Sequence, residues 1–409
     1  MQGKVALYTI FRCTNYGAVL QAYALARTLR AICGEDAVDV LNHRMDPRDN
    51  HLLGKITNPN TPWFQRWRNR RKFEARYVRP DLFEERRRKT IRLIEGDIRP
   101  TDRLYRSPDE FSGLPPYATV VVGSDQVWNP ALNHDFGCNQ YLAAHLPEGQ
   151  DRVAYAASFG VAELPPELEA EYRAALSRFR AITVREESGA EMVRRLLPHR
   201  DTPRVALDPT LLLSPEEWAA LGECKMENVK CKMKGTNQGA RSATLHFTLY
   251  TLHSFVAAYW VRTVMQGDVD ALAAVARKRG IPAVLMSAGP LPKLRFPDEV
   301  RPYVDADPFD FVRTVSGSSG LVTDSFHGLQ FAALFGRPFI ALGDLGAAGS
   351  NASRLVDFCA RYGIADGMHD ISGFRSGGDF DLAVMSPFRK DRLAADRAAS
   401  LDALKSMLP

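Results

Sequence analysis

Leu321-Val322-Thr323-Asp324-Ser325-Phe326-His327-Gly328-Leu329-Gln330-Phe331-Ala332-Ala333-Leu334-Phe335-Gly336-Arg337-Pro338 reads in three parts. A short apolar strand stops at Asp324-Ser325, a helical run rich in small and apolar residues follows, and Gly336-Arg337-Pro338 turns the chain into another apolar run, Phe339 to Leu342. Consecutive parallel strands need a crossover, usually a helix, so this strand–helix–strand spacing is the unit of a parallel sheet.

The unit recurs. Val5 to Phe11, Thr119 to Val122, Val153 to Ala157, Ala181 to Val184 and Val205 to Leu207 form one series of strand candidates. Thr244 to Tyr250, Ala283 to Met286, Leu321 to Thr323 and Phe339 to Leu342 form a second, with helical stretches such as Asp268 to Lys278 between them. An α/β fold is therefore expected, its sheets covered by helices on both faces. A chain of 409 residues exceeds what one core usually supports, so two domains are expected. Asp208-Pro209 closes a strand and Ser214-Pro215 opens a helix, which puts the boundary there. Residues 1–210 then form the first domain, with a basic helical insertion at about 61–110, residues 211–388 the second, and 389–409 a closing helix that folds back over the first. In the first helix Val19, Tyr23 and Ala26 share the packing face, while Gln21 and Arg27 lie elsewhere.

Apolar residues at 45% and charged residues at 25% are the balance of a globular protein with a packed interior. Cysteines at 13, 33, 138, 224, 231 and 359 form no CxxC pair, so neither a disulfide framework nor a standard zinc site is expected. Met1-Gln2-Gly3-Lys4 leads straight into a strand with no export signal, and the expected location is the cytoplasm. Leu245 to Val261 is apolar, but it carries His246, His253 and Ser254 and is shorter than the ~20 residues a membrane span needs. It reads as a buried strand with its flanks. Gly222 to Gly239 has no periodicity and reads as a loop. Net charge is +5, yet Arg66 to Arg92 holds twelve basic residues against four acidic ones. Such a patch attracts nucleic acid, anionic lipid or a phosphorylated substrate. Phe73, Tyr77, Leu82 and Phe83 at near-helical spacing favour a solvated helical surface instead, and no nucleic-acid partner is expected.

Ligands of α/β sheets bind beyond the carboxyl ends of strands, where helix N-termini offer free N–H groups. Four loops qualify. In Cys13-Thr14-Asn15-Tyr16-Gly17-Ala18, Asn15 suits a helix cap and Gly17 a close approach; an ordinary capped turn would look the same. In Gly123-Ser124-Asp125-Gln126-Val127-Trp128-Asn129-Pro130, a hydroxyl, a carboxylate and an amide suit sugar hydroxyls, and Trp128 suits stacking on a sugar face. Arg185, at the end of Thr183-Val184, suits two-point contact with a carboxylate or phosphate, or else a salt bridge to Glu186 or Asp208. His327, at a helix entrance beyond Asp324-Ser325, is placed for proton transfer or anion contact, and Asn351, Ser353 and Arg354 open another helix that adds a cation.

Taken together, Asn15-Tyr16-Gly17-Ala18 with Leu20-Gln21-Ala22-Tyr23-Ala24-Leu25, Gly123 to Pro130, Ala156-Ala157-Ser158-Phe159-Gly160, Arg185-Glu186-Glu187-Ser188, Asp208-Pro209-Thr210 and Thr323-Asp324-Ser325-Phe326-His327-Gly328 resemble the polysaccharide pyruvyl transferase family in order and spacing over most of the chain. The resemblance implies two Rossmann-like domains facing a cleft, as in GT-B glycosyltransferases, the first on the acceptor side and the second on the donor side. It implies transfer of pyruvate from phosphoenolpyruvate to hydroxyls of a sugar in a polysaccharide or glycoconjugate precursor, often as a ketal, with no metal and no cofactor beyond that co-substrate. His327 is the implied acid–base residue, with Asp324 or Asp125 orienting it or the sugar. Arg185, Ser325, Gly328, Arg354 and Arg337 are the donor-side candidates. Asn15, Tyr16, Gly17, Ser124, Gln126, Trp128 and Ser158 are the acceptor-side candidates.

The match has one departure. Some family members carry Arg-x-His where this chain has Ser325-Phe326-His327, so one phosphate contact is expected either to be missing or to come from Arg337 or Arg354. Two rival readings share the architecture: a glycosyltransferase using a nucleotide sugar, and a non-catalytic sugar-binding protein. A lipid-linked acceptor, peripheral contact of the basic run with the inner face of a membrane, and a homo-oligomer complete the expectations.

Overall fold

Val5-Ala6-Leu7-Tyr8 is apolar at every position because both faces of its sheet are covered; as β1 (Val5–Tyr8) it is buried throughout. The structure, a computed structural model, describes residues 3–43, 62–132, 139–161, 163–221, 254–345, 352–364, 367–382 and 389–409. β1 pairs in parallel with β2 (Val38–Val40) on one side and β3 (Thr119–Val122) on the other. β4 (Arg152–Ala157), β5 (Ala181–Val184) and β6 (Arg204–Val205) extend the sheet beyond β3, giving the order β2-β1-β3-β4-β5-β6. The second sheet runs β12-β11-β10-β7-β8-β9, built from β7 (Val256–Trp260), β8 (Ala283–Ser287), β9 (Val300–Pro302), β10 (Gly320–Thr323), β11 (Phe339–Gly343) and β12 (Met368–Asp370). Every strand pair is parallel. Both orders reverse direction once, between β1 and β3 and between β7 and β10, and ligands of doubly wound sheets bind at such switch points. The fold is thus the expected pair of Rossmann-like halves in a GT-B-like arrangement.

Three differences from the sequence reading have simple causes. β2, β9 and β12 were not anticipated: each has three residues, too few for periodicity to register. The strand expected at Thr244 to Tyr250 and the loop expected at Gly222 to Gly239 lie outside the described residues; the second sheet opens with β7. α1 (Tyr16–Cys33) has no polar face at Gln21, whose buried amide donates to Thr9 Oγ1 at 3.2 Å and to the carbonyl of Ile10 at 2.8 Å. A helix lodged between two layers is buried on more than one side. Its outer side meets the second domain, where Tyr23 packs against Trp218 and Phe309.

The basic run folds as α2 (Trp63–Arg76) and α3 (Pro80–Leu93). Phe73, Leu82 and Phe83 enter the core of the second sheet although the helices leave from the first. Arg86 is a correction to the solvated-surface reading: it is 1% exposed and donates to the carbonyls of Ser287 at 2.6 Å, Ala288 at 2.9 Å and Thr14. Lys89 reaches the buried Asp305 at 2.8 Å. Further helices are α4 (Glu169–Leu176), α5 (Glu187–Leu196), α6 (Gln266–Arg279), α7 (Pro308–Gly317), α8 (Phe326–Leu334), α9 (Ala352–Tyr362), α10 (Ile371–Arg375) and α11 (Lys390–Ser406), and residues 215–221 are helical as well. α11 lies on the first domain, accepting the Leu207 N–H on Ser400 Oγ at 2.9 Å and placing Arg397 on the Leu211 carbonyl at 2.7 Å. Among the described residues no helix is long and apolar enough to cross a membrane.

Candidate active site

The carboxyl ends of the two sheets face each other, and the loops singled out in the sequence meet there. Asn15 caps α1, its Oδ1 accepting from Gly17 N–H at 3.0 Å and from the hydroxyl of Tyr259 at 3.2 Å across the domain interface. From the opposite side, Ser325 caps α8 by accepting from Gly328 N–H at 3.1 Å, which sets His327 in the first turn. Thr323 Oγ1 accepts the Ser325 N–H and donates to the Tyr259 carbonyl, so the β10–α8 turn is tied to β7. Gly328 is required by packing: a β-carbon there would lie 2.6 Å from Thr323 Oγ1.

Asp208 is the electrostatic centre. Its Oδ2 accepts from Arg185 Nη1 at 2.7 Å and from Ser124 Oγ at 3.3 Å, and faces His327 Nε2 at 3.3 Å; its Oδ1 accepts from the N–H and hydroxyl of Thr210 at 3.0 and 2.7 Å. Burial alone would raise its pKa, but His327, Arg185 and the Thr210 N–H together hold it far below the usual carboxylate range. An ionised carboxylate sealed in the protein thus holds a guanidinium by a hydrogen bond and faces an imidazole nitrogen that has no other partner among the described residues. The imidazole orientation was expected from Asp324 or Asp125, and this is corrected: Asp208 faces the ring. Asp324 accepts from the N–H groups of Val261 at 2.7 Å and Arg262 at 3.3 Å, with Arg262 Nε at 3.1 Å. Burial still leaves the Asp324 pKa raised against those donors.

Arg185 and Arg354 are both buried and both lie over the ring of Phe326, 4.7 and 5.6 Å from its centroid. Arg185 Nε and Nη2 and Arg354 Nε have no hydrogen-bond partner among the described residues. Burial, and then the neighbouring charge of Arg185, push the Arg354 pKa down to about 10. With its amide oxygen turned toward the cation, Gln126 accepts from Arg354 Nη2 at 2.8 Å. Buried guanidinium N–H groups without a hydrogen bond favour an anion that would satisfy them, even with the carboxylates of Asp208, Asp125 and Glu186 nearby. Of the two readings of Arg185, the salt bridge exists, to Asp208 at 2.7 Å and more loosely from Nε to Glu186 and from Nη2 to Asp125 at 3.7 Å each, while neither Nε nor Nη2 makes a hydrogen bond among the described residues.

Two chambers adjoin this pair. One, of about 430 Å³, is lined by Asn15, Asp125, Gln126, Asp324, His327 and Arg354, among others. The other, of about 370 Å³, is lined by Arg185, Glu186, Asp208, Phe326, Arg354 and Arg361, among others, and both carboxylate oxygens of Glu186 lack a hydrogen-bond partner there. Asp125 holds a left-handed backbone, φ 72°, with its Oδ1 on Gln126 N–H at 2.9 Å. Among the described residues no group of three or more His, Cys, Asp or Glu side chains is close enough to hold a metal ion.

Several candidates fall elsewhere. Trp128 is fully buried, packed on Phe159 and Phe179 with its indole N–H on the Tyr141 carbonyl, so neither ring face is open to a sugar. Ser124 and Ser158 are fully buried, the first on Asp208 and the second on the N–H of Gly160. Tyr16 is buried between Tyr259 and Phe311, its hydroxyl on the Ala306 carbonyl at 2.8 Å, and so joins the domains without facing the cleft. Arg337 precedes β11, at the amino end of the sheet, and binds the Ser316 carbonyl, away from the cleft that Arg354 lines. Asn351 and the side chain of Ser353 lie outside the described residues. The sequence reading did not anticipate Asp208 as the partner of His327, nor Arg262, which binds Asp268 in two-point fashion at 2.7 and 2.8 Å beside Asp324. A carboxylate ending a strand at Leu207-Asp208 was the available signal for the first; for the second it was the polar residue directly after the apolar run Leu245 to Val261.

Residues 15–344 match the family model described as polysaccharide pyruvyl transferase. No curated protein sequence matches the chain. Similar solved structures include a putative UDP-N-acetylglucosamine 2-epimerase from Listeria monocytogenes, 13% identical with a TM-score of 0.46 over 100% of this chain and 91% of that one. The UDP-N-acetylglucosamine 2-epimerase from Rickettsia bellii is 10% identical with a TM-score of 0.45, over 100% and 95%. The ADP-heptose lipopolysaccharide heptosyltransferase II of E. coli is 13% identical with a TM-score of 0.31, over 98% and 99%.

Proposed function

The chain belongs to the polysaccharide pyruvyl transferase family and is a transferase, and from this premise we propose that it moves pyruvate from phosphoenolpyruvate to hydroxyls of a sugar in a polysaccharide or glycoconjugate precursor, forming a ketal. The observation that supports this donor is the pair Arg185 and Arg354, buried beside His327 with nitrogens that make no hydrogen bond among the described residues. Phosphoenolpyruvate brings a phosphate and a carboxylate, two anions for two guanidiniums.

In this reading His327, held by the ionised Asp208, gives a proton to the enol methylene, and the adjacent carbon becomes cationic. A sugar hydroxyl adds to that carbon and gives up its proton to a base of the cleft, Asp125 or Asp324. The carbon–oxygen bond to phosphate breaks, inorganic phosphate leaves toward the arginines, and a second hydroxyl closes the ketal as its own proton departs. The acceptor takes the larger chamber, where Asn15, Gln126 and Asp125 offer partners for hydroxyls. The acceptor in this reading is a sugar or a lipid-linked oligosaccharide.

The test is the thermal midpoint with phosphoenolpyruvate and, separately, with nucleotide sugars. A ligand at one hundred times its Kd stabilises by about 2.7 kcal/mol. Phosphoenolpyruvate should raise the midpoint, and Arg354→Gln should abolish the rise. A rise with a nucleotide sugar alone would replace this reading with that of a glycosyltransferase.

A further inference from the structure

The twelve basic residues of the Arg66 to Arg92 run do not behave alike once folded. Around α3 the cations have partners: Arg79 with Asp81, Arg87 with Glu84, Arg88 and Arg92 with Glu85, Lys89 with Asp305, and Arg86 with three carbonyls. α2 is different. Between Pro62 and Arg76 it carries six basic residues and the single acid Glu74, which pairs with Arg70 at 2.9 Å. Arg66, Arg68 and Lys72 have no acidic partner among the described residues.

The same helix exposes three aromatic rings: Trp63 is 74% exposed, Phe64 52% and Trp67 56%. At about 100° per residue these rings share one arc of roughly 100°. Arg70 and Arg68 flank that arc, and Arg71 lies within it, over the Trp67 ring at 4.7 Å. The other end of α2 is fixed, with Phe73 in the core, Val78 N–H on the Leu291 carbonyl at 2.8 Å and Lys293 N–H on the Arg76 carbonyl at 2.9 Å. The aromatic end therefore projects from a rigid base. Surface aromatic residues interleaved with unneutralised arginines are the chemistry of a helix lying in a bilayer interface, the rings among the acyl chains and the cations at anionic headgroups. We propose that α2 docks the protein on an anionic membrane surface through Trp63, Phe64 and Trp67. This stands on α2 alone and is independent of the donor and acceptor.

The five tryptophans make the test clean. Trp128, Trp218 and Trp260 are fully buried, so Trp63 and Trp67 are the two that a surface can reach. The whole protein is mixed with vesicles of brominated phosphatidylcholine, with and without phosphatidylglycerol. Quenching of intrinsic fluorescence is expected on the anionic vesicles and should be reversed by salt. Binding measured by vesicle sedimentation should fall by roughly a hundredfold in Arg66→Gln/Arg68→Gln/Lys72→Gln, at ~1 kcal/mol, or about fivefold, per basic residue. Trp63→Ala/Trp67→Ala should weaken it by at least about tenfold. Both variants should keep the wild-type thermal midpoint. Absence of quenching, equal quenching on neutral vesicles, unchanged sedimentation of either variant, or binding to single-stranded RNA without binding to vesicles would overturn the proposal.

Discussion

Gly17 and His327 are in contact across the domain interface: a β-carbon built on Gly17 would lie 2.2 Å from His327 Nδ1 and 2.4 Å from Cγ. The first turn of α1 thus forms one wall of the imidazole pocket, and Asp208 forms another. Gly17→Ala cannot be accommodated without displacing the ring or separating the domains. Transfer activity should fall by at least about tenfold, with a stability loss of ~1–3 kcal/mol, the usual cost of overpacking. Because the cause is steric, His327→Ala should relieve part of that loss. A double-mutant cycle by urea denaturation checks this: a stability loss in the double variant equal to or greater than the sum of the single losses would rule out the contact as the cause.

Asp208→Asn keeps the shape of the side chain and removes the charge that holds Arg185 and His327. Leaving a buried cation unpaired typically costs about 3–5 kcal/mol, so a large loss is expected near neutral pH. The folded pKa of Asp208 is depressed, so its contribution is present above the ordinary carboxylate pKa and is lost as pH falls through and below that range. The stability of the wild type should therefore approach that of Asp208→Asn as acid is added. Denaturation curves across the acid range measure the gap, and a gap independent of pH would contradict the assignment.

His43 and His145 give a second acid response, seated in the first domain. His43 Nδ1 donates to the Leu41 carbonyl at 2.9 Å and Nε2 accepts from the Tyr141 hydroxyl at 2.7 Å, a pattern only the neutral ring satisfies. Burial lowers the pKa of both histidines from 6.5 to about 4. Their contribution is complete above 6.5 and is lost as pH falls from there toward 4, at most about 3 kcal/mol per ring. The thermal midpoint should decline over that window, and His43→Gln should flatten the decline. A midpoint that stays constant between pH 6.5 and 4 would refute this.

Arg86→Lys tests the tie between the halves. The guanidinium bridges carbonyls of Thr14 in the first domain and of Ser287 and Ala288 in the second, with its face 4.2 Å from the Tyr16 ring centroid. A lysine has no planar fork to reach all three, and each buried carbonyl left without a donor costs about 1–3 kcal/mol. The expected result is a loss of several kcal/mol in urea. A lysine variant as stable as the wild type would show that the bridge is not needed.

The strand–helix alternation was legible because a parallel strand covered on both faces is apolar at every position, as in Val120-Val121-Val122 and Val256-Ala257-Ala258. The strand ends were legible too, since polar groups such as Asp125 and His327 interrupt those runs abruptly. Trp128 and Tyr16 misled for one reason: side-chain type at a strand or helix end does not reveal which way the ring turns, and both turn into packing.

From its order of residues alone, this protein was determined to have two parallel-sheet halves, with the loops after β1, β3, β5 and β10 as its chemical loops, because periodicity and strand-end polarity are local properties. The tertiary structure alone decided that Asp208 faces His327, that Arg354 and not Arg337 joins Arg185, and that Arg86 is a buried tie while Arg66, Arg68 and Lys72 of α2 have no acidic partner among the described residues. Those relations join positions from 23 to 202 residues apart, such as Arg185 with Asp208 and Arg86 with Ala288. Burial and pairing of charge depend on which surfaces meet, and no local spacing encodes that.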